Sequence, residues 1–219
     1  MTSGKVVLAL AGASPEDLEA AQLAWANRVM AERHGAVVLT ALLALMLESA
    51  APHDVCEAVA LVVRDELRHA RRCEEIFRAL DGPARFELDL GADPIDRPAS
   101  SAATAALLLV ERELVCVEAQ AVVVLSAYVA TTTEPAMRRV FGSLLRDERR
   151  HTNLGAMLLA RLTAHFAPRD VAAFELGRAE RCAGITAQLE RQARARATGG
   201  PGRGLGAGLL ASDLEFGSV

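Results

Sequence analysis

The chain has 219 residues, a net charge of −4 and a composition that is 52% hydrophobic but only 4% aromatic. That length suits one domain with a substantial core, and the even scatter of Lys and Arg excludes a basic nucleic-acid surface. The four cysteines (Cys56, Cys73, Cys116 and Cys182) stand far apart, which excludes a paired-cysteine metal site and fits small buried side chains in a reducing compartment.

Residues 1–13 read as an N-terminal extension. Its apolar run, Val6 to Ala11, is about half the length of a membrane span and a poor signal peptide. A cytoplasmic protein without membrane contact is expected. Ser14-Pro15-Glu16-Asp17 then opens a helix: serine as N-cap, proline at the first position, acids in the first turn. It should run to about Ser49 and stop before Pro52. Trp25, Glu32, Leu39, Leu43 and Met46 form one stripe on it, so Glu32 is an acid in an apolar row.

His53-Asp54 opens a second helix that ends near Leu80. Residues 81–100 lack helical periodicity and contain Pro83, Pro94 and Pro98. A joint of that length predicts one long crossover in an otherwise short-looped helical protein. A third helix, about 102–130, contains Glu111, Glu113 and Glu118; a fourth runs from Pro135 to about His165. A fifth, about 169–197, is amphipathic through Val171, Phe174, Cys182, Ile185 and Leu189, and should pack on the outside. The helical domain is thus 14–197 and all-α. Residues 198–219 read as a glycine-rich linker and a short C-terminal peptide, either disordered or a docking tail for a protein partner.

Two of these helices carry one motif. Arg64-Asp65-Glu66-Leu67-Arg68-His69 recurs 82 positions later as Arg146-Asp147-Glu148-Arg149-Arg150-His151. Glu and His three residues apart on a helix share a face. Two such helices meeting in a core offer two carboxylates and two imidazoles, and a dinuclear metal site needs one Glu more from each of two further helices. Glu32 meets that need on the first helix. On the third, Glu118 lies 17 residues before Pro135 and Glu148 lies 13 after it, so the two fall near one level. Glu113 is the alternative, about 140° around the helix and beside Arg112. The metal-ligand set is then Glu32, Glu66, His69, Glu118, Glu148 and His151. Four carboxylates balance two divalent ions, and without metal they would be a costly cluster of like charge.

A ligating histidine needs its second ring nitrogen held by a carboxylate or carbonyl. Asp65 and Asp147 are placed to serve the histidine of the opposite helix, with a solvated pairing to arginine as the competing role. Tyr128 and Trp25 fit core aromatics better than redox groups, and His34, His53 and His165 lack partner spacing. Gly155, one turn after His151, leaves room for a small-molecule pocket or for close helix packing.

With this ligand set the chain resembles the ferritin-like di-iron carboxylate proteins, over about residues 14–166. The symmetric pair of Glu-x-x-His motifs is more similar to rubrerythrins and di-iron oxygenases than to ferritins, although no Cys-x-x-Cys pairs supply a rubredoxin-type centre. The resemblance implies a four-helix bundle around two iron ions, with manganese suited to the same donors. It implies an oxygen-activating oxidoreductase acting with dioxygen or peroxide and a reductant the residues do not name, and a homo-oligomeric state. Iron oxidation and storage is the alternative function.

Overall fold

The computed structural model describes residues 6–82, 101–196 and 202–207. These residues are helical and loop, with no strand among them. The helices are α1 (Pro15–Glu48), α2 (His53–Ala79), α3 (Ala102–Thr131), α4 (Pro135–His165), α5 (Pro168–Glu175) and α6 (Arg178–Arg196). Local chemistry sets the starts. The Ser14 hydroxyl accepts from Asp17 N at 3.1 Å while the Asp17 carboxylate accepts from Ser14 N at 3.2 Å, a reciprocal capping box. Glu134 caps α4 by accepting from Met137 N at 2.7 Å, and Ser101 caps α3 through Thr104 N.

α1 and α2 form an antiparallel hairpin tied by the Arg33–Glu74 ion pair at 3.2 Å. α3 and α4 form a second over the short joint 132–134. The end of α2 lies beside the first turns of α1, where the Gln22 amide donates to the Leu80 carbonyl. α3 starts at the opposite end, where Ser101 and Ala102 share a cavity wall with Glu48 and Ser49. α2 and α3 are therefore parallel. The expected crossover, 81–100, lies outside the described residues except for its first two.

Two expectations about helix continuity need correction. The third helix is not uniformly α: Val110–Val117 is π-helical, with i→i+5 bonds, and α geometry resumes at Glu118. The expected fifth helix is two, broken where Gly177 takes a left-handed φ of +71°, a conformation glycine adopts without steric cost. Phe174 of α5 is fully buried.

The core divides into two apolar clusters. One joins Leu39, Leu42, Val59, Val62, Leu107, Leu114, Leu158 and Phe174; the other joins Trp25, Val29, Cys73, Ile76, Leu125, Tyr128, Phe141 and Leu144. Each of the four long helices passes from one cluster to the other, and the motif residues fall in between. α1 and α3 are also long and apolar enough to cross a membrane by length and composition, with 44% and 22% of their most apolar stretches buried.

Residues 202–207 belong to the stretch expected as free linker and peptide, yet they are seated on the second cluster. The Trp25 indole N–H donates to the Leu205 carbonyl at 3.0 Å, and Arg28 donates to that of Gly206 at 2.9 Å. Gly204 O accepts from Thr133 N, and Gly202 N donates to Asp17. Gly206 has a φ of +77°, and a Cβ there would lie 2.8 Å from the Phe141 ring, so only glycine fits. Most of the C-terminal peptide lies outside the described residues.

Candidate metal centre

Three residues on α1 divide its labour around the site. Trp25 is buried and stacks on Phe141 at 4.8 Å, and Tyr128 stacks on the same ring at 4.8 Å. Arg28 lies over all three rings, 4.1–4.9 Å from their centroids. It is thus committed to the aromatic stack and to Gly206 rather than to Glu32, one turn on. Trp25 and Tyr128 are core aromatics here.

Between the apolar clusters the four long helices bring six side chains together. Glu32, Glu66, His69 and Glu148 each present a ligand atom within 4.8 Å of one another, and so do Glu66, Glu118, Glu148 and His151. Both groups contain Glu66 and Glu148. The imidazoles stand 6.0 Å apart. Glu66, His69, Glu118, Glu148 and His151 are buried, while the Glu32 side chain keeps 14% exposure. This buried Glu/His cluster can hold a metal ion. Glu113 is not part of it and pairs with Arg112 at 2.5 Å. Glu111 is buried but turned to Arg178 and Arg181 of α6. His34, His53 and His165 also lie apart; His165 caps the α1–α2 joint through the Ala50 carbonyl at 3.0 Å.

The orientation of the histidines is set by the motif's aspartates, in a crossed fashion. His69 Nε2 lies 3.0 Å from Asp147 Oδ2, and His151 Nε2 lies 3.5 Å from Asp65 Oδ2. The other nitrogen of each ring then faces inward. His69 Nδ1 points at Glu148, Glu32 and Glu66, at 3.1, 3.5 and 3.8 Å, and has no well-aligned hydrogen bond. Glu66 Oε1 is buried without a hydrogen-bond donor. His151 Nδ1 lies 2.8 Å from Glu148, 3.3 Å from Glu118 and 3.5 Å from Glu66. A buried imidazole nitrogen and a buried carboxylate oxygen that converge without a well-aligned hydrogen bond are what a bound cation would satisfy.

The aspartates are held by the motif's second arginines. Arg68 reaches Asp65 at 2.9 Å and Asp147 at 2.8 Å; Arg150 reaches Asp65 at 2.5 Å and Asp147 at 3.1 Å. The first arginines, Arg64 and Arg146, are exposed. The two roles weighed for the aspartates from the sequence, supporting a histidine and pairing with arginine, are therefore combined. The ring that the arginines close across the two helices is the part the sequence reading lacks. The signal was available, because the arginine recurs with the ligands. Gly35 was also missed: a Cβ there would lie 3.2 Å from Glu66 Oε2, so the missing side chain gives that carboxylate its place. Gly155 serves packing, since its Cβ would meet the Leu114 carbonyl oxygen at 2.4 Å.

The metal-free cluster compensates its charge with protons. Burial, reinforced by Glu32, Glu148 and Glu118, pushes Glu66 well above the usual carboxylate range. Burial and the adjacent Glu148 do the same to Glu118. Burial opposes the ionisation of Glu148 too, but His151, His69 and the proton of Glu118 hold it below its ordinary value. Burial also works against a charged His69, yet Glu148 and Glu32 raise it to about 12. Cys73, one turn past His69, is pushed well up by burial and the charge of Glu32, and stays a thiol. Metal binding at such a site must displace protons.

No family model, curated protein or solved structure matches this chain.

Proposed function

We propose that the protein is a ferritin-like four-helix bundle that binds two iron ions in the buried cluster and activates dioxygen. The observation that carries this is the convergence of six donors from four helices, with Glu66 and Glu148 common to both groups. One ion would be held by Glu32, Glu66, His69 and Glu148 and the other by Glu66, Glu118, Glu148 and His151, with Glu66 and Glu148 common to both sets. Four carboxylates neutralise two divalent ions, and the set is all oxygen and nitrogen, which suits iron(II) or manganese(II). When bound, the ions supply the electrons and the Lewis acidity for reducing dioxygen.

The residues of the chain do the rest. Asp147 accepts from the Nε2–H of His69, and Asp65 faces Nε2 of His151 at 3.5 Å, so each ring turns Nδ1 to the inner side. Arg68 and Arg150 hold the two aspartates in place. The apolar clusters above and below exclude water from the polar layer. Glu32, the most exposed of the six, marks the side from which solvent and small molecules reach the site. α1 and α3 act as core helices of a cytoplasmic protein, because a mid-span Glu32 or Glu118 would be costly in lipid.

Metal analysis after anaerobic iron(II) loading, followed by dioxygen-consumption measurements, tests the proposal. Two ions per chain and oxygen uptake upon reduction are expected. A chain that retains one ion or none removes it. Oxidation of iron far beyond two per chain, with the product held by the protein, would instead identify an iron-storing role.

A further inference from the structure

Glu111 and Glu118 are seven residues apart on α3 but serve different neighbours. Glu118 joins the metal-ligand cluster, 3.3 Å from His151. Glu111, only 3% exposed, is clamped by α6: Arg178 Nε reaches one oxygen at 2.8 Å, and Arg181 reaches the other through Nε and Nη2 at 3.2 and 3.1 Å. Both guanidiniums lie over the buried Phe174 ring, 5.1 and 5.4 Å from its centroid. Arg181 also donates to the Phe174 and Leu176 carbonyls at 2.7 Å each. The arginines are therefore anchored at both ends.

In a continuous α-helix, residues seven apart lie nearly two turns on and share a face. Both carboxylates would then point the same way. The π segment Val110–Val117 contains Glu111 at its second position and ends just before Glu118, so the chain between the two is π-helical. Each i→i+5 closure encloses one more residue than an α turn, and one residue rotates the helix beyond it by about 100°. The segment is gripped from the other side as well, by the close approach of Gly155 to the Leu114 carbonyl.

We propose that the Glu111–Arg178/Arg181 clamp is a positioning element for the metal centre: it holds the π register that delivers Glu118, so docking of α6 and metal binding at Glu118 are coupled. This rests on the metal-centre assignment above. A return of the segment to α geometry would turn one carboxylate away from its partners. The arginines at one end and the metal at the other thus favour the same register. Such coupling is reciprocal: whatever the clamp adds to metal affinity, metal adds to α6 docking.

The test uses the full-length chain, titrated anaerobically with iron(II) by calorimetry and followed by amide hydrogen exchange. In Arg178→Gln/Arg181→Gln one of the two ions should bind more weakly, by a factor in the range of about 5–150 typical of coupled sites. The other ion should be unaffected, and Arg178→Lys/Arg181→Lys should recover part of the loss. In the wild type, iron(II) should slow exchange across α6, although no ligand lies on that helix. This arm needs no variant to fold. Wild type that binds two ions without protecting α6, or a double glutamine variant with both affinities intact, overturns the clamp alone. Wild type that binds no iron overturns the metal centre, and the clamp with it.

Discussion

His69 Nε2 lies 3.0 Å from Asp147, so the imidazole in the first copy of the motif is oriented by the aspartate of the second. Asp65 faces His151 Nε2 in the same crossed sense, at a longer 3.5 Å that is contact without a hydrogen bond. The duplicated hexapeptide is thus one unit in three dimensions: each copy supplies an inner donor and the outer support of its counterpart.

Asp147→Asn keeps the shape but removes the charge that selects the Nδ1 lone pair of His69. Iron(II) affinity should fall by about 10–100-fold, as for other groups that hold a metal-bound histidine. Helix content by circular dichroism should stay the same. Unchanged affinity would mean that the ring needs no help from α4.

Glu118→Ala and Glu113→Ala separate the two acids of α3. Losing Glu118 should weaken one ion by more than 100-fold, a larger effect than that of an orienting partner. The metal-free protein should be as stable or more so, because burial and Glu148 already disfavour the Glu118 carboxylate. Glu113→Ala should change metal content not at all and stability by at most about 0.5 kcal/mol. Metal counting and thermal melts of both variants decide it; the reverse pattern would misplace the helix register.

The metal-free protein should lose stability as pH rises. Glu66 and Glu118, raised above the ordinary 4.5, keep protons that the unfolded chain has released, so their effect disfavours folding progressively above pH 4.5. His69, raised from 6.5 to about 12, contributes stability that is complete below pH 6.5 and disappears as pH climbs towards 12. Glu148 has the opposite sign: its contribution is present above 4.5 and lost as pH falls below that. The melting temperature of the apo form should therefore peak near pH 4.5 and fall between pH 4.5 and 6.5. Iron-loaded protein should instead gain stability through that window as the ions displace the protons. Parallel pH profiles of the two forms would contradict the charge assignment.

Truncation after Ala197 should lower the melting temperature, whereas the sequence read as free linker would leave it unchanged. The cut removes buried Leu205 and Ala207 and the carbonyls that Trp25 and Arg28 bond. Burying one leucine contributes about 1.5–3 kcal/mol, and ordering the segment offsets part of that. A net loss of about 1 kcal/mol corresponds to about 2–4 °C for a chain of this size. Emission from Trp25, the one tryptophan in the chain, should shift to the red as its indole opens to water.

The candidate site was legible because its residues recur at helical spacing and stand in apolar rows. Glu32 could be picked out since Trp25, Leu39 and Met46 share its stripe, and Glu118 since it is level with Glu148 across a short joint. The boundaries of α1 and α4 followed from Ser14, Pro15 and Pro135. Three things stayed hidden for physical reasons. A π segment has no composition of its own; it depends on what α4 and α6 press against it. The glycines at 202–206 look like linker, and only the Trp25–Phe141 surface shows that their lack of side chains permits contact. Arg68 and Arg150 resemble ordinary surface arginines, because their role requires a second helix to supply the aspartates.

The polar layer between two apolar clusters also restricts how the four long helices can align. If one helix slid past its neighbours by a single turn, about 5.4 Å, a carboxylate or imidazole would enter hydrocarbon while leucine or valine met the remaining acids. Each wrong alignment would strand a buried charge, at a cost of several kcal/mol. The layer that weakens the metal-free core by crowding acids together thus acts as a pin through the stack. It lets a core built mainly of alanine, leucine and valine choose one vertical register among many of similar packing.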